Sequence, residues 1–169
     1  GNMAKLALES ALGGIFDKDQ DKIDETLRLE KIINEMEREI SIYLIKLSNT
    51  SISAENRETV DGLFNTINDI ERVGDHAENL AELAQELIDN QLVLSVEALE
   101  ELGRMTELVL DSYTNSLTAL ETIDGELAMK VVEAEERTNY FERTLRENHI
   151  GRLSAGKCIP SSGVVFVDI

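Results

Sequence analysis

The sequence predicts an all-α fold, and three observations carry that prediction. Its 169 residues hold a single proline, Pro160, and none interrupts the run from Ala4 to His149. Aromatic residues make up only 4% with no tryptophan, a poor supply for β-sheets. Good helix formers (Ala, Leu, Glu, Lys, Arg and Gln) dominate the rest. A chain of this length fits one domain or two small ones sharing a core. It can bury roughly 70% of its unfolded surface without a disulfide or metal staple.

The first helix is expected over about Met3 to Phe16, with Leu6, Ala7, Ala11 and Leu12 at helical spacing up to Gly13-Gly14. A second runs from about Asp19 to Leu47 on the stripe Ile23, Leu27, Ile33, Ile40, Leu44 and Leu47, and the cluster Ser48 to Ser51 ends it. Ser53 caps a third, from about Ala54 to Asn90 and roughly 55 Å long, with Leu63, Ile67, Ile70, Ala77, Leu80, Ala84 and Ile88 on one face. Ser95 caps a fourth that reaches about Ile123, on Leu99, Met105, Leu108, Val109, Tyr113, Leu117 and Leu120. Asp124-Gly125 breaks the chain before a fifth helix, about Glu126 to His149, carried by Leu127, Val131, Ala134, Thr138, Phe141 and Leu145. Gly151 to Ser162 reads as irregular.

Gly163 to Ile169 is apolar, and a lone strand would have no partner in a helical chain. It reads as the first turns of a sixth helix. A short internal repeat supports a duplicated plan: Glu30 to Asn34 with Glu37-Arg38 recurs as Glu135 to Asn139 with Glu142-Arg143. The expected architecture is two tandem three-helix bundles, residues 3–92 and residues 93–169. The second would be truncated at its C-terminus, leaving an apolar groove between the fourth and fifth helices and a tendency to homo-oligomerise. Gly1-Asn2-Met3 reads as a cloning scar or an excised boundary.

Sixteen Lys and Arg against 34 Asp and Glu leave a net charge of −18. That balance argues against nucleic acid and against an anionic membrane surface, and makes a cation the natural counter-ion. No run of about 18 apolar residues is present. The one cysteine, Cys158, allows no internal disulfide and fits a reducing compartment. No nucleophile is spaced with a base, no Gly-rich phosphate loop occurs, and the Glu-x-x-His pattern of di-iron bundles is missing. The sequence therefore points away from an enzyme.

The segment Asp69 to Asn79 stands out, because Glu71, Asp75 and Asn79 are spaced by four and stack on one helix face. Like charges at that spacing repel unless a cation or a base compensates. Hard divalent cations and iron take carboxylate and amide oxygens. In the second helix Glu30, Asn34 and Glu37 interrupt the apolar stripe, so two acid-plus-amide pairs are expected to face each other. The other reading of the same residues is a solvated acidic face neutralised by Arg72 or Arg38. His76 is expected beside the stack, and His149, among Arg146, Arg152 and Lys157, as part of a basic helix C-terminus.

Glu71-Arg72, two residues, Asp75-His76, two residues and Asn79 together resemble the signature of the PhoU family. A second stretch, Arg146 to Leu153, Gly156 to Cys158 and Gly163 to Ile169, is similar to the PhoU-like cytoplasmic C-terminal region of bacterial sodium/phosphate cotransporter proteins. The resemblance implies a regulatory domain in phosphate homeostasis on the cytoplasmic side of the membrane, soluble in itself. Its partner would be the transporter portion of the same protein or a transporter complex. The alternative it implies is a free-standing phosphate-response regulator that contacts a transporter and a sensor kinase. It also implies metal ligands (iron, manganese or zinc, divalent or ferric) at Glu71, Asp75 and Asn79, with Glu30 and Asn34 as companions. Glu135 and Asn139 would belong to an incomplete second site. At Asn34 and Asn139 the family's usual Asp is replaced by a weaker neutral ligand.

Overall fold

A computed structural model describes all residues, 1–169, and contains six helices and no strand. They are α1 (Asn2–Asp17), α2 (Gln20–Ser48), α3 (Ala54–Asp89), α4 (Val96–Thr122), α5 (Gly125–Ser154) and α6 (Pro160–Asp168). The all-α expectation holds, element by element. No helix is long and apolar enough to cross a membrane.

Helix starts follow the capping chemistry of the sequence. Asp19 accepts from the backbone N–H groups of Asp21 and Lys22, Ser53 from Asn56, Ser95 from Ala98 and Asp124 from Leu127. Helix ends depart from expectation. The fifth helix runs past Gly151 to Ser154, because the residue that stops it is Gly156, at φ +65°. The Lys157 N–H bonds the Arg152 carbonyl at 2.9 Å and the Gly156 N–H bonds that of Leu153 at 3.0 Å, which closes the terminus as a Schellman motif. The sixth helix begins at Pro160 instead of Gly163, since proline suits the first helical position, where no N–H is needed.

The same closure ends α3 and α4 without glycine. Gln91 (φ 51°) and Ile123 (φ 55°) take the left-handed position, with Leu92 N–H on the Leu87 carbonyl and Asp124 N–H on that of Ala119. Gly125, expected to break the chain, is instead the first residue of α5.

The chain divides into two compact units, residues 1–14 with 19–82 and residues 15–18 with 83–169. In the first, Ala4, Ala7, Leu8 and Ala11 form the buried edge of α1 at helical spacing. Their small side chains let α1 approach α2, where the Thr26 hydroxyl donates to the Ala7 carbonyl at 3.4 Å. Ile23, Leu29, Ile33 and Leu44 of α2, and Val60, Ala77 and Ala81 of α3, complete this core.

In the second unit Leu87, Leu94, Ala98, Leu102, Ala119, Leu145, Val165 and Phe166 are buried. α5 packs on α4 and on α6. A groove of about 470 Å³, lined by Ala119, Leu120, Ile123, Ala128 and Val131, opens between α4 and α5 beside the Asp124-Gly125 turn. Further along, Tyr113 meets Val131 and Thr138 across the same helix pair, and burial pushes its hydroxyl pKa up.

Candidate functional site

Two helices of the first unit build the acidic site. α2 and α3 run antiparallel in a register where residues 30, 33 and 37 meet 78, 74 and 71. Glu30 feels the charges of Glu78 and Asp75, and Glu71 feels those of Asp75 and Glu37. Between these two acid pairs, Ile33 fills the space left by Gly74.

Glu30 is only 5% exposed, and its carboxyl pKa is raised by burial first and then by Glu78. Glu71 is half-buried and its pKa is raised too, by burial first and then by Asp75, with Glu37 adding to it. Both effects have one origin: carboxylates drawn together out of water, each penalising the charge of the next. The Asn34 amide nitrogen donates to Glu30 Oε1, and the Ser41 hydroxyl donates to Glu37 Oε1 at 2.7 Å. Arg72 pairs with Asp69 on the exposed side of α3, 3.8 Å away.

Glu30 therefore faces Asp75 as expected, but the partner of Glu71 across the helix pair is Glu37. Asn34 serves its own helix by donating to Glu30, and Asn79 and His76 are exposed. In the second unit Glu135 and Asn139 are both exposed on α5, and Glu135 lines a small pocket with Tyr113 and Thr138. No group of three or more His, Cys, Asp or Glu is arranged to hold a metal ion. The Asn34 amide turns its nitrogen, not its oxygen, to the Glu30 carboxylate.

Beside Glu37 and Glu71 lies an apolar cleft of about 290 Å³, walled by Met3, Ala4, Ile33, Met36, Ile40, Ile67 and Ile70. Sequence spacing singled out the acids but not this cleft. Its signal was the break at Glu37, where a carboxylate sits between Ile33 and Ile40 on one stripe.

A second polar cluster, in the second unit, was misread from sequence. His149 is not part of an exposed basic terminus: it is 3% exposed, because α5 continues beyond it and α6 covers it. Its ring stacks on Phe166 with centroids 4.9 Å apart. Arg152 lies over the same ring, 5.2 Å from its centroid, and donates from Nη1 to Glu101 Oε2 at 2.7 Å. The Asn148 amide donates to Glu101 Oε1 at 2.8 Å.

These features define a class: tandem helical units whose distinctive side chains are carboxylates gathered on a shared α2–α3 face. The family model described as "PhoU domain" matches residues 1–84 and 102–163, so the chain belongs to the PhoU family. It is 23% identical over 173 residues to the phosphate-specific transport system accessory protein PhoU homolog of Streptococcus pneumoniae, strains TIGR4 and R6; the match spans 99% of this chain and 78% of the relative. The crystal structure of PhoU from Pseudomonas aeruginosa superposes with a TM-score of 0.90 at 18% identity, covering 99% of this chain and 79% of that one. The likeness establishes a shared fold.

Proposed function

We propose that this chain is a PhoU-type accessory module of phosphate transport, acting through protein contacts and not through catalysis. The observation that carries the reading is membership of the PhoU family over both units. The pneumococcal relatives, named as accessory proteins of a phosphate-specific transport system, align over 99% of the chain. This supports an accessory regulator beside a transporter and a sensor kinase, in preference to a cytoplasmic domain carried by a sodium/phosphate cotransporter. The α2–α3 acidic face and its adjoining cleft suit a partner segment that is apolar and basic, because a molecule of charge −18 attracts cationic surfaces.

The test removes the gene from its host and measures phosphate uptake and the transcription of phosphate-responsive genes. Restoring the gene should restore both, and Glu37→Arg with Glu71→Arg should not. Uptake and transcription unaffected by the deletion would overturn the reading. Co-purification with phosphate-transporter subunits separates the accessory role from the fused one.

A further inference from the structure

The buried face of α6 (Ser162, Gly163, Val165 and Phe166) carries no charge. It packs closely against His149. His149 stacks on Phe166 and fits only because residue 163 has no side chain. A Cβ there would stand 2.9 Å from His149 Cε1 and 3.0 Å from Nε2. The Arg152 guanidinium lies over the Phe166 ring as well, 5.2 Å from its centroid.

Charge at this point is finely balanced. The groups facing His149 are Arg152 on its own helix and Glu101 on α4. Both Glu101 oxygens are already engaged, one by Arg152 and one by Asn148. The only acid on α6 is the exposed Asp168. Glu97, at the start of α4, is exposed and senses Arg152 and Lys157. A proton on His149 would thus place a second cation beside Arg152, in a buried pocket where both oxygens of its only carboxylate are already taken. Moreover, Arg152 Nε and Nη2 are buried without hydrogen-bond partners, so the pocket is already short of acceptors.

We propose that His149 makes the α5–α6 contact a proton-operated clasp, closed when the imidazole is neutral and released when it is protonated. Burial, and next the Arg152 charge, lower the pKa of His149 from its ordinary 6.5, whereas in the open state the ring is free to titrate normally. The open state therefore binds the extra proton first, and docking weakens as pH falls below 6.5, by up to about tenfold per pH unit. Above 6.5 docking does not change with this group.

The experiment is amide hydrogen exchange on the whole chain at pH 7.5 and pH 5, corrected for intrinsic rates. Exchange at Val165 and Phe166 should accelerate at the lower pH, by no more than about thirtyfold, while Ile23 and Ala81 of the first unit hold steady. His149→Gln should abolish the acceleration. No acceleration in the parent, or an equal one in the variant, overturns the proposal. If His149→Gln leaves α6 open at both pH values, the decision passes to NMR titration of the His149 imidazole in the parent. His149 titrating below 6.5, in step with α6 opening, supports the clasp; titration at or above 6.5 overturns it.

Discussion

Ile33 of α2 lies against Gly74 of α3 so closely that a Cβ at residue 74 would stand 3.3 Å from both Ile33 Cδ1 and Cγ2. The contact sits between the Glu30–Glu78 and Glu37–Glu71 pairs and sets the register that brings those acids together. Leucine at residue 74 cannot be housed without moving α2. Gly74→Leu should cost about 1–3 kcal/mol in urea unfolding. At Gly62, where nothing lies within 4 Å, alanine should gain roughly 0.5–1 kcal/mol from helix propensity alone.

Glu30 and Glu71 have raised pKa values, so the folded state holds protons that the unfolded chain releases near 4.5. Their effect favours the fold below pH 4.5 and is lost as pH rises through the folded values. Glu71→Gln, which removes the repulsion with Asp75, should stabilise at pH 7 by roughly 0.2–0.5 kcal/mol in low salt. The gain should shrink in 1 M salt, where the Debye length falls to about 3 Å. Thermal melts at pH 4 and pH 7 should show the variant's advantage at pH 7 alone.

Ile123 is a β-branched residue held at φ 55° and 92% exposed. Its side chain offers little packing in exchange for the strain. Ile123→Gly should raise stability by about 1 kcal/mol, read as an increased urea midpoint at constant slope.

Glu101 and Arg152 form a mostly buried ion pair between α4 and α5, 2.7 Å apart. Glu101→Ala strands the guanidinium and should destabilise by about 3 kcal/mol. Glu142 and Arg146, one turn apart on the surface of α5, should lose no more than about 0.5 kcal/mol on Glu142→Ala. Unfolding free energies of the two variants, measured side by side, check the contrast.

What the sequence made legible follows from the range over which each feature is encoded. The six helices are written in local periodicity and caps: Ser53 and Ser95 could be read as caps in place, whereas Asp19 and Asp124 marked only where helices begin or break. Helix ends were less legible. A left-handed stop can be any residue the surroundings enforce, here Gln91 and Ile123, while Gly125 and Gly151 lie inside a helix. The four-residue spacing of Glu71 and Asp75 exposed their mutual repulsion, but not that Glu37 and Glu78 are the acids opposite. Register belongs to the helix pair and is set by Ile33 on Gly74. Glu101 and Arg152, 51 residues apart, meet only once α4 and α5 have packed. No local pattern reports such a meeting, and for that reason His149 read as part of a basic helix C-terminus.

The placement of Tyr113 gives the molecule an internal spectroscopic label. The chain has no tryptophan, and two of its three tyrosines, Tyr43 and Tyr140, are 64% and 70% exposed. Freely rotating phenols in water give little near-ultraviolet dichroism. The signal in that band should therefore come chiefly from Tyr113, fixed in the second unit, while the far-ultraviolet band counts helices from both. A melt followed at the two wavelengths would separate the unfolding of residues 83–169 from that of the first unit, with no label added and no residue changed.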